Sequence, residues 1–122
     1  MAEFDPVKEL GLCVLHIGIN NDSAEEARAV AQQCHALLGF PLDEGEGSIF
    51  ASSLIEIMKF RAPGTVGHIA IGAHDVDAAA AYFVSTGMGI REDTALYNED
   101  GTMKFVYLGQ EIAGFAIHLK QY

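Results

Sequence analysis

His16, Glu56, His68 and His118 are the residues of this 122-residue chain whose types and settings point to chemistry. Each interrupts an otherwise apolar, β-rich run: Leu15-His16-Ile17, Ile55-Glu56-Ile57, His68-Ile69-Ala70-Ile71 and Ile117-His118-Leu119. Side chains alternate between faces along a strand, so each polar group points away from the Ile and Leu residues beside it. If those apolar faces pack under helices, the four polar groups share the opposite face with Gly18, Met58, Ala70 and Ala116. A buried carboxylate is strongly unfavourable unless it is paired or bound to a cation. Three imidazoles and one carboxylate around one cavity would meet that demand by holding a divalent metal. Taken singly, each residue has a plainer reading. A histidine in a strand can be a hydrogen-bonded core or rim residue, and Glu56 can pair with Lys59 or Arg61.

The elements that must position these groups come in two similar sets. Leu15-His16-Ile17-Gly18-Ile19 matches Gly67-His68-Ile69-Ala70-Ile71 in register, and each run leads through a polar turn into one helix. In the first half, Val14, His16 and Gly18 are expected on one strand face and Leu15, Ile17 and Ile19 on the other. Asn20-Asn21-Asp22 turns the chain, and Ser23 with Glu26 forms a capping-box pattern before a helix ended by Gly39. Residues 41–46 read as a weak edge strand, and 48–51 and 54–60 as stronger strands. Residues 61–66 read as a linker. In the second half, Asp75 or Asp77 caps an alanine-rich helix over about 77–86. Strands follow at 89–94, 104–108 and 114–120, with Asp100-Gly101 as a hairpin signal. The fold class is therefore α+β: two βαβββ modules, about 13–60 and 67–120, in a single domain spanning 1–122. Their sheets form one curved, mixed, cup-shaped sheet with the helices outside.

Composition narrows the partners. The chain carries 17 acidic against 7 basic residues, a formal charge of −10, which disfavours nucleic acid and anionic membrane surfaces. No stretch approaches the ~20 apolar residues of a membrane span. The opening Met1-Ala2-Glu3-Phe4-Asp5-Pro6 has neither a basic nor an apolar region of a secretory signal, so a cytoplasmic location is expected. Cys13 and Cys34 form no CxxC pair and read as reduced core residues.

The four polar positions, one on the first and one on the last strand of each half, resemble the metal-ligand positions of the vicinal oxygen chelate superfamily of glyoxalase, bleomycin-resistance and dioxygenase-like proteins. Gly67-His68-Ile69-Ala70-Ile71 followed by Asp75-Val76-Asp77-Ala78-Ala79 is similar to that family's second-half opening. The resemblance covers nearly the whole chain from about Cys13 onward. It departs at His118, where the family most often has a glutamate, which puts the glyoxalase reaction itself in doubt. A narrower likeness runs through His16-Ile17-Gly18-Ile19-Asn20, Gly47-Ser48-Ile49-Phe50-Ala51, Gly67-His68-Ile69-Ala70-Ile71-Gly72 and Gly114-Phe115-Ala116-Ile117-His118-Leu119. These segments resemble the extra C-terminal domain of some bacterial keto-deoxy-phosphogluconate/keto-hydroxyglutarate aldolases. The aldolase barrel is absent, so Schiff-base aldolase chemistry is not implied.

The resemblance implies metal ligation by His16, Glu56, His68 and His118, with Glu56 as a candidate catalytic base and Glu111 as an outside candidate. Zinc is the first expectation, with nickel, cobalt, manganese or iron as alternatives. The expected activity is that of a lyase or isomerase on a small 2-keto or 2-hydroxy acid, in a setting of sugar-acid metabolism. The alternative is a non-catalytic small-molecule-binding or accessory domain partnering a separate aldolase. A homodimer is the expected assembly. Tyr97, Tyr107, Met58 and Phe50 are each open to a pocket-wall or a packing role. His35 and His74 read as a helix-end and a turn residue.

Overall fold

The computed structural model describes residues 3–122; Met1 and Ala2, with which the expected domain and the N-terminal segment read for a secretory signal begin, lie outside the described residues. The first half runs β1 (Cys13–Ile19), α2 (Ala24–Leu38), β2 (Leu42–Glu44), β3 (Ser48–Ala51) and β4 (Ile55–Met58). The second repeats it with β5 (Gly67–Ala73), α3 (Val76–Ser85), β6 (Ile90–Tyr97), β7 (Met103–Leu108) and β8 (Phe115–Gln121). Parallel neighbours need a long crossover. β1 therefore reaches its parallel partner β4 through α2 and the β2–β3 hairpin, and β5 reaches β8 through α3 and the β6–β7 hairpin. Antiparallel pairing of β1 with β5 joins the halves. The result is one eight-stranded sheet in the order β2-β3-β4-β1-β5-β8-β7-β6, with β2 at one edge as expected.

The helix ends follow the cap chemistry written in the sequence. The Ser23 hydroxyl accepts from the Glu26 N–H at 3.1 Å, while the Glu26 carboxylate reaches the N–H of Asp22 rather than that of Ser23. Gly39 closes α2 at φ 72°, and Asp75 caps α3 by accepting from the Ala78 N–H at 3.0 Å. A short helix, α1 (Pro6–Leu10), has no counterpart in the sequence reading. Five residues are too few for helical periodicity to register. Its signals are the Asp5 cap, Pro6 at the first position and Gly11 at its end.

Each helix packs on one face of its own half-sheet. Ala27 and Ala31 of α2 lie buried against Ile49, Ala51 and Ile57. Val76, Ala79 and Ala80 of α3 pack with Leu10, Val106, Leu108, Ile117 and Leu119. Small residues on the helices let them lie close to the sheet, which fixes β4 and β8 from behind and leaves their other face for the polar groups. Leu119, fully buried and next in sequence to His118, tests this support. Leu119→Ala should lower the unfolding free energy by about 2–5 kcal/mol. That is a large part of a typical domain's ~5–15 kcal/mol. Urea denaturation should show a lower midpoint at unchanged slope; a loss below about 1 kcal/mol would contradict the packing described.

Three expectations fail around β1. The β1–β5 register shifts between Val14 and His16, so Leu15 is an extra residue in the strand. Val14 therefore lies opposite Ile71, on the helix-side face, and not with His16. Ile17 keeps its expected face but is 41 % exposed, because β1 lies at the seam between the two helix-covered halves. Cys13 is exposed rather than a core residue, and Cys34 is half-buried; both are free thiols. Among the described residues no helix is long and apolar enough to cross a membrane.

Candidate metal centre

Strand register brings the four polar residues together. One row across the sheet reads Phe50, Glu56, Gly18, His68 and Ala116; the next reads His16, Ala70, His118 and Tyr107. Large side chains thus alternate with Gly18, Ala70 and Ala116, and the small residues leave room for rings to lean toward one another. A Cβ on Gly18 would fall 2.0 Å from Cε1 of His68. The absence of a side chain at Gly18 is what lets His68 lie over β1.

His16 Nε2, His68 Nε2 and Glu56 Oε1 meet at one point. The nitrogens are 3.2 Å apart, and Oε1 is 3.3 Å from the first and 3.1 Å from the second. One nitrogen from each of His16, His68 and His118 falls within 4.8 Å of the others. Glu56 touches two of the three rings, and its Oε2 accepts from the Ser48 hydroxyl at 2.7 Å. Neither Lys59 nor Arg61 competes for it: Lys59 pairs with Glu44 and Arg61 with Asp22.

The donor set fits a divalent ion. Zinc–nitrogen and zinc–oxygen bonds of about 2.0–2.1 Å in a tetrahedron separate neighbouring donors by roughly 3.3–3.4 Å. The three separations among His16 Nε2, His68 Nε2 and Glu56 Oε1 lie at or just below that spacing. His68 and His118 are buried, and Nδ1 of each has no hydrogen-bond partner among the described residues. Neither ring is held in place by a protein acceptor behind it, as metal-binding imidazoles often are.

Burial, with smaller contributions from His68, His16 and Lys120, lowers the His118 pKa to about 3. The ring is neutral at pH 7, with a lone pair available for ligation. Hydrogen bonding from His16 first and His68 second, helped by Ser48, holds the Glu56 carboxyl well below the ordinary range despite its burial. The Tyr107 phenol is pushed up, chiefly by burial and then by the charge of Glu56.

The cluster opens into a cavity of about 430 Å³ walled by Phe50, Met58, Phe60, Phe105 and Tyr107, with Ala62 and Pro63 of the linker on its rim. Phe50, Met58 and Tyr107 thus take the pocket-wall role. Tyr97 is largely exposed and does not line this cavity. Glu111 does not line it either; its carboxylate accepts from the N–H and hydroxyl of Thr65. His35 lies exposed at the end of α2, with its Nδ1 2.8 Å from the Phe40 carbonyl, and His74 packs at a tilt against Tyr122.

Two supports escaped the sequence reading. Asn20, taken for a turn residue, is buried and binds the linker through the Ala62 and Gly64 carbonyls and the Ala62 N–H. It fixes the rim of the cavity. Ser48, which holds Glu56, carried no signal beyond its place at the start of a strand.

No family profile and no curated protein sequence matches the chain. Solved structures do. A methylmalonyl-CoA epimerase in complex with methylmalonyl-CoA and NH4+ superposes with a TM-score of 0.60 at 22% identity, over 88% of this chain and 92% of that one. Methylmalonyl-CoA epimerase from Mycobacterium tuberculosis gives 0.60 at 18% identity, over 88% and 86%. A hypothetical protein from Bacillus halodurans gives 0.62 at 18% identity, over 91% and 94%. These likenesses show the fold, one curved eight-stranded sheet built from two βαβββ halves. Each half of the sheet supplies two of the four polar residues: His16 and Glu56 from one, His68 and His118 from the other.

Proposed function

We propose that this protein binds one divalent metal ion through His16, Glu56, His68 and His118 and is an isomerase- or lyase-type enzyme. Its substrate would be a small acid with two neighbouring oxygens, a 2-keto or 2-hydroxy acid. The observation that carries the reading is the convergence of two imidazole nitrogens on Glu56 Oε1 at 3.1–3.3 Å, beside His118, at the base of an apolar-walled cavity. Zinc suits the nitrogen-rich donor set best, with nickel, cobalt, manganese or iron as alternatives. When bound, the ion would act as a Lewis acid for negative charge developing on a substrate oxygen.

The remaining work falls to the chain. Phe50, Phe105 and Tyr107 give the cavity an apolar wall beside the polar cluster. Among the described residues, Glu56 is the one carboxylate that lines the cup. While hydrogen-bonded to His16 and His68 it is a weak base, because its carboxyl is held low. Proton abstraction by Glu56 requires its release from the two rings, which would restore ordinary basicity. Its low basicity at rest also favours a second reading, a domain that captures a small molecule without turning it over. The sugar-acid setting and a separately encoded aldolase partner rest on the sequence likeness alone. Substrates related to the CoA ester named for one structural neighbour belong in the same screen. A homodimer and a cytoplasmic location complete the reading.

Metal analysis by mass spectrometry on untagged protein should find about one ion per chain. The loaded protein should then exchange the proton on the carbon next to the carbonyl of a 2-keto or 2-hydroxy acid for deuterium, read by NMR. Binding without exchange would favour capture over catalysis. No metal, even after incubation with zinc, nickel, cobalt, manganese and iron, would overturn the metal-dependent reading.

A further inference from the structure

The chain's cations are distributed unevenly about the cup. Arg28 and Lys59 pair with Glu44, Arg61 with Asp22, and Arg91 lies 3.8 Å from Asp93. Of the seven basic residues in this acidic chain, the three with no carboxylate within 4.0 Å among the described residues are Lys8, Lys104 and Lys120. Two of these, Lys104 and Lys120, line one groove of about 340 Å³ with Leu96, Asn98, Phe105 and Gln121. Phe105 and Lys120 line the metal cavity as well, so the groove and the cup are continuous through them.

Lys120 stands two residues beyond His118 on β8 and pairs with Phe105 of β7, on the face that carries the histidines. Two residues of strand place its Cα about 6.6–6.8 Å from that of His118. Its stem can lie along the Phe105 ring while the ammonium faces the cavity. Charge accounting gives the position a purpose. The imidazoles are neutral ligands, Glu56 contributes one negative charge and a divalent ion two positive ones. Without Lys120 the cup carries one net positive charge, enough for a single carboxylate; with it the cup carries two.

We propose that Lys120 is a specificity-determining residue that binds a second anionic group of the substrate, a carboxylate or a phosphate, beside the oxygens taken at the histidine cluster. The inference rests on the metal-site reading for the placement of the first anion, and it makes the substrate a dianionic acid.

Calorimetric titration of the full chain with 2-oxoglutarate and with 2-oxopentanoate compares two acids of the same carbon count that differ by one distal carboxylate. The zinc-loaded wild type should prefer the dianion by about tenfold or more, roughly the 1.4 kcal/mol that one well-placed charge contact can supply. Lys120→Met should erase that preference while leaving zinc content and 2-oxopentanoate affinity unchanged. Lys120→Arg should keep most of it. A preference that survives in Lys120→Met, or a wild type that shows none, overturns the proposal. 3-Phosphoglycerate against glycerate repeats the comparison with the 2-hydroxy acid intact, and a larger ratio there assigns the second anion as a phosphate. Zinc content measured on the same samples keeps the two readings apart. A wild type without zinc overturns the metal site. The same pair of acids on metal-free protein then still decides Lys120: a dianion preference lost in Lys120→Met upholds it, and equal binding or no binding overturns it.

Discussion

Zinc should fall from about one ion per chain to none in a His16→Ala/His68→Ala variant. These two rings supply two of the three converging nitrogens and both of the contacts that hold Glu56 Oε1. Their loss leaves His118 and Glu56, which come from opposite halves of the sheet, with no other imidazole, thiol or carboxylate of the cluster among the described residues. An ion held by so few protein donors should not survive dialysis, whereas loss of an outer-sphere partner usually weakens affinity by only about 10–100-fold. The effect should also appear in stability. Zinc at 100 times its dissociation constant would raise the wild type's unfolding free energy by about 2.7 kcal/mol, and that gain should be absent in the variant. In the metal-free wild type, the hydrogen bonds from His16 and His68 depress the Glu56 carboxyl. A depressed carboxyl contributes stability above its unfolded pKa of about 4.3 and loses it as the pH falls toward the folded value. The double variant should lack that acid-side loss. Mass spectrometry for metal, with circular dichroism to confirm the fold, checks the prediction. A folded variant that still carries one zinc would show that the ion sits elsewhere.

Much of this architecture was legible because polar residues in apolar strands leave a parity signal. Glu56, His68 and His118 each sit opposite an Ile or Leu set that packs under α2 or α3, and His16 joins their face through its pairing with Ala70 of β5. The repeat of Leu15-His16-Ile17-Gly18-Ile19 in Gly67-His68-Ile69-Ala70-Ile71 exposed the two-half organisation, and the caps at Ser23 and Asp75 marked where each helix begins. What stayed hidden depends on contacts between distant segments. The bulge at Leu15 is a property of the pairing of β1 with β5, so neither strand alone announces it and Val14 was placed on the wrong face. Asn20 looks like any turn asparagine until the linker is seen lying over it. Lys120 reads as a terminal surface lysine until β7 brings Phe105 beside it. The neutralisation of Lys59 and Arg61 by Glu44 and Asp22, which frees Glu56 for the histidines, likewise depends on tertiary geometry.

Gly18→Ala should weaken zinc binding by at least 10–100-fold, a range borrowed from loss of groups that orient metal ligands, although Gly18 offers no ligand atom. Gly18 lies between Glu56 on β4 and His68 on β5. Its φ is not among the positive values in the chain, so alanine meets no backbone penalty there. The whole effect comes from the added methyl, which would sit 2.0 Å from Cε1 and 2.2 Å from Nδ1 of His68. His68 is 3 % exposed and has little space into which to retreat. Its ring must therefore turn, carrying Nε2 away from the 3.1 Å contact with Glu56 and the 3.2 Å contact with His16. Overpacking of this kind also destabilises a fold by about 1–3 kcal/mol. Two comparisons isolate the cause. Gly47→Ala, whose methyl would meet nothing nearer than Phe60 Cε1 at 3.7 Å, should leave zinc affinity unchanged. In a His68→Ala background, Gly18→Ala should cost neither stability nor any further zinc affinity, since the obstructed ring is gone. Competition against a chromophoric chelator reads the affinities, and urea denaturation reads the stabilities. Full zinc affinity in a folded Gly18→Ala chain would mean that His68 does not need the space above β1, and would remove it from the proposed ligand set.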